Sequence, residues 1–202
     1  SGDGSTLGLV ERTRLSEQIL FEAAHPEWID QGFNNTCNVT TLETRAFERD
    51  PASAARLITD VALTGKYVTP EGITVDVGRT GGLTPDAESM LSLQQPFRRN
   101  NGYADVSIDG NRTYAGQIFE NTAVNIHYAD LMSGSVSNRG SYVYEPGDVI
   151  QYKKVAPTPG KTGDTGERLV AYRTDANGNL TEIPISDEPY IYTHELGDIY
   201  NR

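Results

Sequence analysis

The chain has 202 residues, 37% of them hydrophobic, enough to bury the core of one domain. Its 17 basic against 28 acidic residues give a formal charge of -11, and the only basic clusters are the pairs Arg98-Arg99 and Lys153-Lys154, so nucleic acid and anionic membrane surfaces are excluded as partners. No apolar run reaches the roughly 20 residues of a membrane span, and a single cysteine excludes an internal disulfide or a zinc site built on several thiolates.

The opening SGDGST lacks the basic start and apolar stretch of a signal peptide. It fits an intracellular chain or a secreted bacterial protein whose signal has been removed. From Leu7 to Ile29, the residues Leu15, Ile19, Leu20, Ala23 and Ala24 recur at helical spacing, and Pro26 closes the segment. After the loop Asp30 to Asn35, Asn35 or Thr36 is placed to cap a second helix. That helix carries Val39, Leu42 and Ala46 on one face and ends before Asp50-Pro51. A third helix is expected from Ser53, as its cap, to Gly65.

The pattern then changes. KYVTPEGITVDV reads as a hairpin around a Pro-Glu-Gly turn, and Gly81 to Asn101 as loop with a short helical turn at Pro85 to Leu93. A turn at Asp109-Gly110-Asn111 leads into a helix over Thr113 to Met132, with Ile118, Phe119, Ala123, Ile126 and Leu131 on its buried side. Five short strand-like runs follow: SYVYE, DVIQYKKV, ERLVAYRT, NLTEIPI and PYIYTHEL, with Asn177-Gly178 as a hairpin turn. Ala156 to Glu167 has the composition of a mobile linker. Helices first and strands later make the class α+β. The expected arrangement is one domain over 1–202, with a mainly helical lobe and a hairpin in 1–135 and a strand-rich lobe in 136–202.

Cys37 lies in QGFNNTCNVTTLE, at the start of the second expected helix. A thiol attacks a carbonyl as thiolate, which a helix N-terminus favours through its unpaired N–H groups and dipole. A tetrahedral intermediate also needs oxyanion donors, and the Cys37 N–H with the Gln31 amide can supply them, Gly32 allowing a tight turn between. Lone cysteines are usually buried and inert. The polar neighbours Asn34, Asn35, Thr36 and Asn38 favour the reactive reading here. Sequons begin at Asn34, Asn38, Asn111 and Asn179, and glycans beside Cys37 would obstruct it, which points to a producer that does not N-glycosylate.

The spacing Gln31-Gly32, four residues, Cys37 resembles that of papain-like cysteine peptidases over about thirty residues, from the first helix to Phe47. Thr36 and Asn38 replace the small residues that usually border the cysteine, and Val39 replaces the aromatic that follows it, so a divergent bacterial branch fits better than the main one. The resemblance implies a papain-like fold and a peptidase acting on peptides or proteins. It implies Cys37 as nucleophile, Gln31 as oxyanion donor and a histidine base on a later strand, without metal or organic cofactor.

There are three histidines. His25, beside Pro26, reads as a surface or capping residue, and His127 falls in a helix pattern where a packed or solvent-facing histidine is ordinary. His194, 157 residues after Cys37 and close to Glu195 and Asp198, is the best candidate base. The chain ends eight residues later, so a second polypeptide or a further segment supplying the base is the competing expectation. Asp105, Asp109 and Asp130 lack the ligand spacing of an EF-hand, and neither Gly-x-Ser-x-Gly nor a phosphate-binding loop is present. From a different class, eleven tyrosines and the weak histidine candidates suit a non-catalytic interaction or structural domain.

Overall fold

The computed structural model describes residues 7–31, 37–80, 82–94, 112–130, 148–162 and 166–186. Helix α1 (Leu9–Ala24) leads through a 3-10 turn (Pro26–Trp28) to α2 (Cys37–Arg49) and α3 (Pro51–Thr64). A small hairpin follows, β1 (Lys66–Val68) with β2 (Thr74–Asp76), then a 3-10 turn (Gly78–Thr80), α4 (Ala87–Gln94) and α5 (Tyr114–Asp130). Strands β3 (Val149–Lys154), β4 (Glu167–Thr174) and β5 (Leu180–Ser186) form an antiparallel sheet in the order β3-β4-β5. The class is α+β, helical first and stranded later. The expected runs SYVYE and PYIYTHEL and the turn Asp109-Gly110-Asn111 lie outside the described residues.

One helix detail corrects the expectations from sequence. Asp50, not Ser53, caps α3: its carboxylate accepts the Ser53 N–H at 3.1 Å and the Ser53 hydroxyl at 2.8 Å. Pro51 then occupies the first turn, where a missing N–H costs nothing. The helix stops at Gly65, which is left-handed at φ 75. On α1 the buried stripe is Leu15, Gln18, Ile19 and Glu22, while Leu20, one of the apolar residues whose spacing marked this helix, is 71% exposed. Leu20 lies about 100° from Ile19 around the helix and faces outward.

The larger departure is α5. From sequence one apolar side was expected to be buried, yet every residue from Arg112 to Tyr128 is buried. Helices α1, α2, α3 and α4 pack around it, and β3 lies against it. Its polar side chains are matched accordingly. Gln117 donates to the Thr84 carbonyl at 2.8 Å, Asn121 to that of Gly82 at 3.0 Å, and Thr122 to that of Ile118 at 2.8 Å. A helix enclosed on all sides keeps polar residues only where they find such partners.

The sheet turns Ile150, Leu169, Ala171 and Ile185 into the same core as the helices, with Tyr152 and Ile183 half-buried against it. In β3 and β4, Ile150 stands opposite Ala171 and Tyr152 opposite Leu169. The shift between Leu169 and Val170 in the β4–β5 register is a bulge, and Pro184 sits in β5, which has no neighbour on its far side among the described residues. The segment expected as a linker joins β3 to β4 instead. The Val155 N–H donates to the Gly166 carbonyl at 2.7 Å, which closes it into a long hairpin loop. The expected turn at Asn177-Gly178 is present, with Asp175 accepting the N–H groups of Asn177 and Asn179 at 2.8 and 2.9 Å.

Candidate functional site

Cys37 is the first residue of α2, and the first turn of that helix carries no acidic residue to oppose an anion there. Residues 32–36, including the expected caps Asn35 and Thr36, are outside the described set. Gln31 ends the described stretch before them and is partly buried. The 3-10 turn Pro26–Trp28, three residues upstream of Gln31, packs against α2, so the polypeptide entering the Gln31 loop runs beside that helix.

Helix α2 is fixed from below by buried polar contacts. The Thr40 hydroxyl, one turn after Cys37, donates to Glu120 Oε1 of α5 at 2.7 Å. Glu120 Oε2 accepts from Arg112 Nη1 at 2.6 Å, and Arg112 Nη2 pairs with Asp86. Asp86 Oδ1 accepts the Ser89 N–H at 2.9 Å at the start of α4, and the Asp86 N–H reaches Gln117 Oε1 at 3.0 Å. A continuous polar path therefore links the Cys37 helix to α5 and α4. Burial pushes the Asp86 carboxyl up, but the Arg112 charge and the Ser89 hydrogen bonds outweigh it and hold Asp86 below the usual carboxylate range. Burial likewise disfavours charge on Arg112, and the Glu120 and Asp86 carboxylates more than restore it.

Two further acids lie in the same interior. Glu22 of α1 accepts the Thr113 hydroxyl at 2.5 Å, and Thr113 itself accepts the Gly116 N–H at 2.9 Å at the start of α5. Glu43 of α2 faces Gly116, where an added Cβ would stand 3.5 Å from its Oε2. Burial raises Glu22 to about 8, with Glu120 adding to the rise and the Thr113 hydrogen bond opposing it. Burial also raises Glu43 well above the ordinary range, helped by Glu22 and Glu120 and opposed by Arg112. Sequence reading missed this group. Its signal was present: Glu22 falls in the stripe of Leu15 and Ile19, and Glu43 and Glu120 adjoin the buried Leu42 and Phe119.

The histidines separate. His25 caps the end of α1 and stacks on Trp28, ring centroids 4.5 Å apart at 14°, and its Nδ1 is 3.4 Å from Glu27. It is a capping residue partly open to solvent, as expected. His127 is 2% exposed on α5 and meets the Tyr128 ring edge-on at 5.3 Å. The contacts Thr40 to Glu120 and Glu43 to Gly116 make α2 and α5 antiparallel along their shared face. His127 is seven residues beyond Glu120, so it lies about 10 Å further along α5 and within about 20° of the same face. Cys37 precedes Thr40 by three residues, about 4.5 Å along α2. Cys37 and His127 therefore share one end of the helix pair. His194, Glu195 and Asp198 lie outside the described residues, as do Asp105 and Asp109.

Among the described residues no group of three or more His, Cys, Asp or Glu side chains is arranged to hold a metal ion, and no helix is long and apolar enough to cross a membrane. A groove between α3 and the first hairpin, lined by Arg56, Asp60, Lys66 and Tyr67 among others, contains neither cysteine nor histidine. No family model, no curated protein and no solved structure matches the chain.

Proposed function

We propose that the chain is a cysteine-dependent hydrolase of the papain-like kind, acting on a peptide or protein carbonyl. The observation that carries this reading is the position of Cys37 as first residue of a helix pinned by buried contacts, with Gln31 six residues upstream. The Cys37 thiolate adds to the carbonyl carbon, and the oxyanion is held by the Cys37 N–H and the Gln31 amide. A protonated histidine gives its proton to the departing amine, and water then hydrolyses the thioester with the same histidine as base. His194 is the first candidate for that role, with a second polypeptide as the other source. The chemistry needs neither metal nor organic cofactor.

The test is labelling of the natively folded protein with an epoxysuccinyl peptide, followed by mass mapping. Modification confined to Cys37 is expected, and no modification of Cys37 would falsify the reading. A second reading, a non-catalytic interaction domain, is favoured by one observation: the two described histidines are stacked on Trp28 or packed beneath the surface. A Cys37→Ala variant that folds and associates as before while losing proteolytic activity rules out that alternative.

A further inference from the structure

Three carboxyl groups from three helices meet in the interior. Glu22 is 3% exposed, and Glu43 and Glu120 are each 1% exposed. Glu120 is provided for by the Thr40 hydroxyl and the Arg112 guanidinium. Glu22 has the Thr113 hydroxyl on one oxygen, but its Oε2 and the Oε1 of Glu43 meet no hydrogen-bond partner. Arg112, the cation that the described residues bring to this junction, is shared between Glu120 and Asp86. Two more ionised carboxylates would stand here, buried from the surface, with the Thr113 hydroxyl as the one donor that the described residues give them, and burying such a charge costs far more than burying a neutral acid.

We propose that the junction of α1, α2 and α5 is a proton-operated lock, closed while Glu22 and Glu43 carry protons and loosened when they lose them. The directions in which burial and the neighbouring carboxylates drive both acids agree with this. Other titratable groups on the surrounding elements lie differently. Glu88 of α4 is buried but is not among the charges acting on either acid, and His127 is two turns further along α5. Arg56 and Asp60 of α3 and Glu27 of the 3-10 turn are half-exposed or more.

The sign follows from proton uptake. Unfolded, each acid ionises near 4.5, whereas folded Glu22 keeps its proton to about 8. Between those values folding takes up a proton, so the folding equilibrium weakens about tenfold per pH unit for each such acid and levels off above the folded value. For Glu43 the window extends upward in the same sense.

Urea unfolding of the full chain from pH 5 to 9 tests the lock, comparing the wild type with Glu22→Gln, Glu43→Gln and the double variant. Glutamine keeps the shape and cannot ionise. The double variant is expected to gain on the wild type by at least about tenfold in folding constant per pH unit between pH 5 and 8; parallel profiles would overturn the proposal. If the variants do not fold, infrared spectroscopy of the wild type decides. A protonated carboxyl stretch at pH 7 that fades on alkaline titration supports the lock, and its absence at pH 7 refutes it.

Discussion

Asn125 and Ile150 exchange two hydrogen bonds between α5 and β3: the Asn125 amide donates to the Ile150 carbonyl at 2.8 Å and its oxygen accepts the Ile150 N–H at 2.7 Å. A side chain 1% exposed thus satisfies both backbone groups of a core strand residue, as a neighbouring strand would. Asn125→Asp removes the donor and adds a buried charge. It should cost at least about 2 kcal/mol in urea unfolding at neutral pH, and less at acid pH, where a protonated aspartate can donate again. An equal cost at both would contradict the role assigned to this amide.

Glu120→Gln should weaken folding by about 3 kcal/mol, because it strips the buried Arg112 of its better partner while keeping a group that Thr40 can bond. Thr40→Val removes only one hydroxyl donor and should cost less, about 1 kcal/mol. Chemical denaturation of both variants at one pH checks the order.

Gly166 and Gly178 have the same backbone hand, φ 76 and φ 85, but different surroundings. A Cβ on Gly166 would lie 2.2 Å from the Val155 carbonyl oxygen, whereas one on Gly178 meets nothing within 4 Å. Gly178→Ala should cost only the left-handed penalty, about 1 kcal/mol. Gly166→Ala should cost clearly more, because the loop between β3 and β4 must also shift. Similar melting temperatures for the two variants would show that this loop yields freely.

On the acid side, Asp86 is held below its ordinary 3.8 in the folded protein. Its contribution is complete above that value and is lost as pH falls through the lower folded one. Asp86→Asn should therefore destabilise at neutral pH and leave a flatter stability profile below about pH 4, readable by circular dichroism during acid titration.

The histidine question is tested by alkylation rates. His194→Gln should slow Cys37 alkylation at pH 7 if that ring is the base, and His127→Gln should not, beyond any effect of its buried packing. The opposite outcome transfers the role to the histidine that shares the Cys37 end of the α2–α5 pair.

Local chemistry made much of the fold legible. Proline at 26, the Asp50-Pro51 pair, Gly65 and Asn177-Gly178 each mark a boundary through chemistry confined to a few neighbouring residues, and all of those boundaries stand. Neither the enclosure of α5 nor the meeting of Glu22, Glu43 and Glu120 was read, since both depend on which helices surround which. A periodic pattern reports that a face is covered; it does not report that the opposite face is covered too. Residues such as Gln117 and Asn121 look like a solvent face until Thr84 and Gly82 are placed beside them. At the candidate site the helix start at Cys37 was legible, because helix-starting residues act within one turn.

Because α5 is covered by both the helices and β3, its amides have no local route to solvent short of losing the pieces around them. Its hydrogen exchange should therefore proceed through global unfolding and measure the stability of the whole chain. Gln18 bonds to Ala115 across 97 residues and Thr113 to Glu22 across 91, so this helix can settle only after distant parts of the chain have met. Such long-range closure slows folding, and a nascent chain released from its template before β3 emerges would present one uncovered flank of its innermost helix to chaperones.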